Sequence, residues 1–253
     1  MRRVTHNKRT LESHKANESI SGIDEFLAII SHELRTPTTA ILGWAELLDR
    51  QTDQTGVAKA AEVIRRSALA QVHLIEEIAD YSRLGANKLG LTIRAVSLAQ
   101  IVRATVETLA PMARKKQIHV TLELGSSVAE TDGDATRLQQ VFSNLFSNAI
   151  KFTPSGGSIR VTLESRGDCH TITVTDTGEG ISAEFLPFVF DRYRQADQTS
   201  NGRGGLGLGL SIARQIVKLH GGTIKARSRG KGQGAEFIVR LPRVGASLDR
   251  ETI

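Results

Sequence analysis

Residues 28–44 read AIISHELRTPTTAILGW, and the spacing of apolar side chains in and around them decides the first half of the fold. Leu27, Ile30, Leu34, Pro37, Ile41, Trp44 and Leu48 recur at steps of three and four. At 100° per residue they fall within about 60° of one direction, as one face of a long helix does. His32 lies roughly opposite that face, so the helix should present it to solvent. Glu33 can accept a proton from one ring nitrogen and hold a single tautomer, which leaves the other nitrogen as a nucleophile. Thr36 lies one turn on, on the same face as His32, where its hydroxyl can position a water or an incoming group. Pro37 cannot donate to the carbonyl of Glu33, which predicts a kink there. An adjustable helix with an outward nucleophile has the character of a substrate site.

A second helical stretch, from about Val57 to Leu84, carries Ala61, Ile64, Ala68, Val72, Ile75, Ala79 and Ser82 on its stripe. The polar RQTDQTG (50–56) between the two reads as their connection. The pair forms a hairpin, and two helices alone bury too little to be stable. Pairing with a second copy into a four-helix bundle is therefore expected, which predicts a homodimer. Residues 1–22 are polar with few apolar anchors and read as a linker or the continuation of an upstream helix.

After Gly85 the periodicity becomes mixed. LGLTIRAVSL, QIHVTLEL, GSIRVTLES, HTITVTD, GTIKARS and AEFIVRLP alternate as strands do, with helical patterns at 97–115, 134–151 and 207–220 between them. Gly167-Asp168 separates two strands as a hairpin turn. This order predicts an α/β sandwich, with helices layered on one face of a mostly antiparallel sheet. The domain division expected is 23–85 for the hairpin and 86–245 for the sandwich, with 246–253 a tail.

Composition narrows the partners. Charged residues are 24% of the 253 residues and hydrophobic ones 40%, and no apolar run approaches the roughly 20 residues needed to cross a bilayer. A basic start with no apolar run behind it is no secretory leader, so the cytoplasm is the expected compartment. The single Cys169 excludes an intrachain disulfide and reads as a small strand residue beside a turn. The first 85 residues hold 11 basic against 12 acidic side chains, a net −1, and the remainder 22 against 15, a net +7, so the excess of positive charge lies in the C-terminal part. With aromatics at 4%, that excess favours an anionic small ligand over a polynucleotide, and no nucleic-acid partner is expected.

Three segments in that half carry chemistry. RLQQVFSNLFSNAIKFTPSGG (137–157) sets Asn144, Asn148 and Lys151 on one helix face, with Val141, Leu145 and Phe146 turned towards the sheet. Carboxamide oxygen suits Mg²⁺ and lysine suits phosphate oxygens. DTGEGI (176–181) ends an apolar strand: Asp176 can accept from an exocyclic amine, while Gly178 and Gly180 let the backbone turn tightly against a planar base. NGRGGLGLGLSIARQIVKLHGG (201–222) runs glycines, including Gly205, Gly207 and Gly209, into an apolar-periodic helix, where backbone N–H groups converge on phosphate. Phe185, Phe188 and Phe190 before it read as an anchor followed by a mobile lid. Gly221-Gly222 after His220 reads as a helix C-cap turning into the last hairpin, and His220 is assigned no chemistry.

SHELRTP resembles the H-box of two-component sensor histidine kinases. The later segments resemble, in order, the N, G1, F and G2 boxes of their ATP-binding domain, the Bergerat fold, and the likeness spans residues 24 to 242. It implies that His32 is phosphorylated from ATP, that Glu33 assists as base and that Thr36 takes part in dephosphorylation. It implies further that Asn148 coordinates Mg²⁺, Lys151 meets phosphate, Phe152 packs near the base, Asp176 binds the adenine amine and Gly205, Gly207 and Gly209 surround the phosphates. The nucleotide domain would swing towards His32, and the phosphoryl would pass to an aspartate of a response-regulator receiver domain. Tyr193 stands where phenylalanine is common, and the role of Arg194 stays open. Two rivals stay open on the residues alone: a conformational ATPase of the same fold, and a scaffold that binds nucleotide or a receiver.

Overall fold

The computed structural model describes residues 28, 30–48, 54–85, 90–125, 129–191, 194 and 206–246. The chain divides into two compact units, with the break between Ala79 and Asp80.

The first unit is the helical hairpin. Helix α1 (residues 30–48) continues through Pro37, and α2 spans Gln54–Gly85, its last six residues, from Asp80, belonging to the second unit. The second helix thus starts three residues earlier than its apolar pattern suggests. The N–H groups of a first turn need no helical partners, so Gln54, Thr55 and Gly56 are tolerated there. The expected connection lies mainly in residues 49–53, outside the described residues. Along α1 the stripe of Ile30, Leu34, Pro37, Ile41, Trp44 and Leu48 is half-buried as expected. On α2 the residues shielded within the hairpin are Ala60 and Ser67, with Val63, Ile64, Gln71, Leu74 and Ile78 half-buried. Much of the stripe read from the sequence instead faces outward, Val72 at 53% and Ile75 at 57% exposure, together with Leu69 at 59% and Leu42 of α1 at 59%. The helix is apolar over more than one face, so its periodicity alone did not say which face the hairpin uses. A hydrogen bond from Gln71 Nε2 to Thr38 Oγ1, 2.6 Å, joins the helices.

The second unit contains β1 (Arg94–Ser97), α3 (Leu98–Lys115), β2 (His119–Leu124), β3 (Glu130–Gly133), α4 (Ala135–Phe152), β4 (Ser158–Arg166) and β5 (Cys169–Asp176). A 3-10 turn (Leu186–Phe188), α5 (Gly209–Leu219), β6 (Thr223–Arg227) and β7 (Ala235–Pro242) complete it. The main sheet runs β2-β4-β5-β7-β6, with β2 and β4 parallel and the other neighbours antiparallel. Its inward residues, among them Ile159, Val161, Leu163, Ile172, Val174, Val239 and Leu241, alternate with exposed or half-buried ones. They meet Leu138, Val141, Leu145 and Phe146 of α4 and Ile212, Ile216 and Val217 of α5, all essentially buried. Each such side chain contributes about 1.5–3 kcal/mol by leaving water. The short β3 pairs with β1 in a separate two-stranded sheet. Its sequence, ETDG, lacks apolar alternation, which is why the pattern did not disclose it.

Turn chemistry sets two helix ends. Helix α3 closes in a Schellman motif: Ile118 N–H donates to Ala113 O at 2.9 Å and Gln117 N–H to Arg114 O at 2.9 Å. Gln117 therefore sits at φ 55°, a left-handed conformation that favours glycine. Gln117→Gly should raise stability by about 0.5–1 kcal/mol, the strain relieved exceeding glycine's extra chain entropy. Urea denaturation of the two proteins checks this.

Helix α5 ends the same way, with His220 as its cap and Gly221 at φ 69°. The ring does more than end the helix, because Nδ1 donates to Ile216 O at 2.7 Å and Nε2 accepts from Asp134 N–H at 3.0 Å. Burial pushes this imidazole below the ordinary histidine value, against the Ile216 carbonyl and the Asp134 carboxylate, which pull it up. His170 is likewise lowered by burial, against its bond to Glu130 O at 2.9 Å. Both groups lie lower in the folded state than the unfolded value of 6.5, so their contribution is present above 6.5 and is lost as pH falls through the folded values. The urea midpoint should fall on going from pH 7 to pH 5.

Candidate functional site

In the hairpin unit, the side chain of His32 is 77% exposed on α1, and Nδ1 stands 3.5 Å from Glu33 Oε1. The opposite ring nitrogen, Nε2, has no hydrogen bond among the described residues. Thr36 Oγ1 donates to His32 O at 3.4 Å, one turn along. His32, Arg35, Thr36, Thr39 and Ala40 line one open concavity. Arg35 was not singled out from the sequence. It lies three residues beyond His32, a spacing that puts a fixed positive charge on the same face.

In the sheet unit, strand alternation positions Asp176. Ile172 and Val174 point into the core, and Asp176 is the next residue of that inward series, at the strand end. It is buried, and Oδ1 accepts from Gly178 N–H at 2.8 Å and Ala235 N–H at 3.3 Å. Oδ2 has no partner among the described residues and is not sealed from solvent. Burial raises the carboxyl above its ordinary value, against the two backbone N–H groups, which lower it.

The loop after Asp176 can be built only with little side chain. A Cβ on Gly178 would lie 2.6 Å from Phe152 O, and Gly180, at φ 67°, would drive one into the carbonyl of Gly230. The β6–β7 loop braces it from the other side. Ser228 Oγ accepts from Ile181 N–H at 2.9 Å and donates to Gly234 O at 2.7 Å, while Gly234 N–H donates to Gly178 O at 3.1 Å. Ser228 was missed because Ile181, whose N–H donates to it, lies 47 residues earlier in another loop.

Helix α4 supplies the polar face. Asn148 is half-buried and makes no hydrogen bond among the described residues, so its amide oxygen is available to a hard cation. Among the described residues no cluster of three His, Cys, Asp or Glu could hold a metal. An amide oxygen of this kind would suit a Mg²⁺ whose other ligands come from phosphate. Lys151 Nζ lies 4.9 Å from the centroid of the exposed Phe152 ring. Asn144 is buried more deeply than Asn148, and its Nδ2 donates to Gly209 O at 3.0 Å, so this amide fastens α4 to the start of α5. Gly207 has φ 64°, and Gly209 opens α5, whose N-terminus has no side-chain cap among the described residues. Gly205 and Tyr193 lie outside the described residues, as does most of the expected lid. Phe190 of the anchor packs edge-on against Phe237 at 6.3 Å, and Arg194 stands over Phe188 at 5.2 Å.

Residues 23–87 match the family described as His Kinase A (phospho-acceptor) domain, and residues 133–245 match Histidine kinase-, DNA gyrase B-, and HSP90-like ATPase. Hybrid signal transduction histidine kinase D of Dictyostelium discoideum is 37% identical over 246 residues, covering 93% of this chain and 16% of that protein. Sensor protein GacS of Pseudomonas syringae pv. syringae is 38% identical over 239 residues, 90% of this chain and 26% of that protein. The chain thus spans about a quarter or less of these two relatives. The solved complex of histidine kinase ThkA with response regulator protein TrrA is similar at TM-score 0.67 and 26% identity, over 93% of this chain and 66% of that one. Full-length ShkA with AMPPNP is similar at TM-score 0.66 and 29% identity, over 88% and 47%. With an exposed histidine on a helical hairpin followed by an α/β unit that ends a strand in a buried aspartate, the chain belongs to the histidine kinases and carries their phosphoacceptor and ATPase domains.

Proposed function

We propose that this chain is an ATP-dependent protein-histidine kinase core that phosphorylates its own His32. The observation that carries the reading is the exposed imidazole with Nδ1 facing Glu33 and Nε2 without a partner among the described residues, in a chain that also carries the ATPase domain. Nε2 attacks the γ-phosphorus, the bond to the β–γ bridging oxygen breaks, and ADP leaves as the phosphoramidate forms. Glu33 holds the Nδ1 proton and stabilises the positive charge that the ring acquires. Asp176 Oδ2 receives the adenine amine, Lys151 meets phosphate oxygens, and Phe152 flanks the base. Gly178 and Gly180 let the loop after Asp176 pack on the carbonyls of Phe152 and Gly230 behind the base, Asn144 holds Gly209, and Gly205, Gly207 and Gly209 serve the phosphates. Asn148 would hold Mg²⁺, which offsets phosphate charge when bound.

Residues 23–85 then form the phosphoacceptor unit and 86–245 the nucleotide unit, with 1–22 a linker and 246–253 a tail. The exposed apolar side chains Leu42, Leu69, Val72 and Ile75 suit burial against a second copy of the hairpin, which makes the protein a homodimer. From His32 the phosphoryl passes to an aspartate of a receiver domain, and Thr36 serves its removal by orienting water. Among the described residues no helix is long and apolar enough to cross a membrane. We place the chain's chemistry in the cytoplasm, where ATP is supplied. Incubation with γ-labelled ATP and Mg²⁺ should leave acid-labile, alkali-stable label on the protein. An unlabelled protein would overturn the reading.

A further inference from the structure

Helix α4 ends at Phe152 without a glycine. Its cap, Thr153, is extended at φ −83° and ψ 128°, so no Schellman motif forms and the last carbonyls need donors from elsewhere. Thr153 N–H takes Ala149 O at 3.0 Å, and Glu179 N–H of the loop after Asp176 takes Phe152 O at 3.1 Å. The rest go to one side chain. Lys116 Nζ donates to Ile150 O at 2.6 Å, Lys151 O at 3.1 Å and Thr153 O at 2.6 Å. An ammonium has three protons, and here three carbonyls converge on it. Its charge also lies at the negative end of the helix. Lys116 is itself fixed as the cap of α3, with its N–H on Ala113 O at 3.1 Å and its carbonyl accepting from Gly156 N–H at 3.3 Å.

We propose that Lys116 is a positioning residue for nucleotide binding: by capping α4 it holds the backbone of Lys151, and through it the ammonium that meets phosphate. It does not touch the ligand. The inference rests on the reading that α4 faces ATP, and the experiment separates the two.

Calorimetric titration of the full chain with a non-hydrolysable ATP analogue in Mg²⁺ buffer gives affinity and stoichiometry independently of phosphorylation. K116M should weaken ATP about tenfold, equivalent to the loss of about 1.4 kcal/mol, with stoichiometry retained. K116R, which keeps the charge and the donors, should recover most of that loss. In a K151A background K116M should add no more than about twofold, because its effect runs through Lys151. If K116M does not fold, K116Q carries the same test, since its amide still donates; an about threefold loss is expected. Wild-type affinity in the Lys116 variants, reduced stoichiometry at unchanged affinity, or a full effect in the K151A background would each overturn the inference. A wild-type chain that binds no ATP, or a K151A variant that binds it normally, would instead sink the ATP-site reading and this inference with it.

Discussion

His32→Gln is expected to remove the label left by γ-labelled ATP, a loss of at least about a hundredfold, while ATP affinity changes by less than about twofold. The reason is chemical. Glutamine fills similar space and still hydrogen-bonds, but it has no nucleophilic nitrogen at neutral pH. The imidazole is 77% exposed, so its replacement leaves the hairpin's packing intact and stability within about 0.5 kcal/mol. The exposed His119 on β2 supplies the control: His119→Gln should label as the wild type does. Label that survives His32→Gln would place the acceptor elsewhere. Loss of ATP binding in that variant would point to a folding defect.

The second large effect is at Asp176. In Asp176→Asn the amide oxygen can still accept from Gly178 and Ala235, which Oδ1 now serves at 2.8 and 3.3 Å. The other atom becomes an N–H₂ donor facing the donor of the adenine amine. Losing a charge-assisted hydrogen bond costs about 1.5–3 kcal/mol, so ATP should bind about 10- to 100-fold more weakly.

The protein should nonetheless fold. Burial raises the Asp176 carboxyl in the folded state, so its contribution is fully present below the unfolded value of 3.8 and is lost as pH rises through the folded value. At neutral pH the buried anion is therefore a burden, and the neutral amide should unfold at an equal or higher urea concentration. ATP affinity of the wild type should also begin to fall, on acidification, at a higher pH than an ordinary aspartate would give. Calorimetric titration over a pH series measures both effects, and Asp176→Asn with wild-type affinity would remove this residue from the site.

Both variants test residues that were legible in the sequence, and for a common reason. His32 stands on a helix whose apolar stripe has one direction, so its exposure follows from an angle. Asp176 continues the inward alternation of Ile172 and Val174, so its burial follows from a period of two. The glycines at 178 and 180 were legible as turn residues. What they make room for, the carbonyls of Phe152 and Gly230, was not.

Local periodicity and turn chemistry were thus sufficient for the two-part architecture, for most of the strands and helices, and for the order of the phosphate-handling segments, because those signals depend on neighbours within a turn or a pleat. Only the tertiary structure decided which face of α2 packs in the hairpin, that ETDG pairs with β1, that Asn144 fastens Gly209 while Asn148 makes no hydrogen bond among the described residues, and that Lys116 holds the end of α4 and Ser228 the loop after Asp176. Each of these depends on groups far apart along the chain, such as Lys116 and Thr153 or Ser228 and Ile181. No repeat or local spacing encodes such a meeting, since a carbonyl left over at a helix end selects whatever donor the packed fold brings to it.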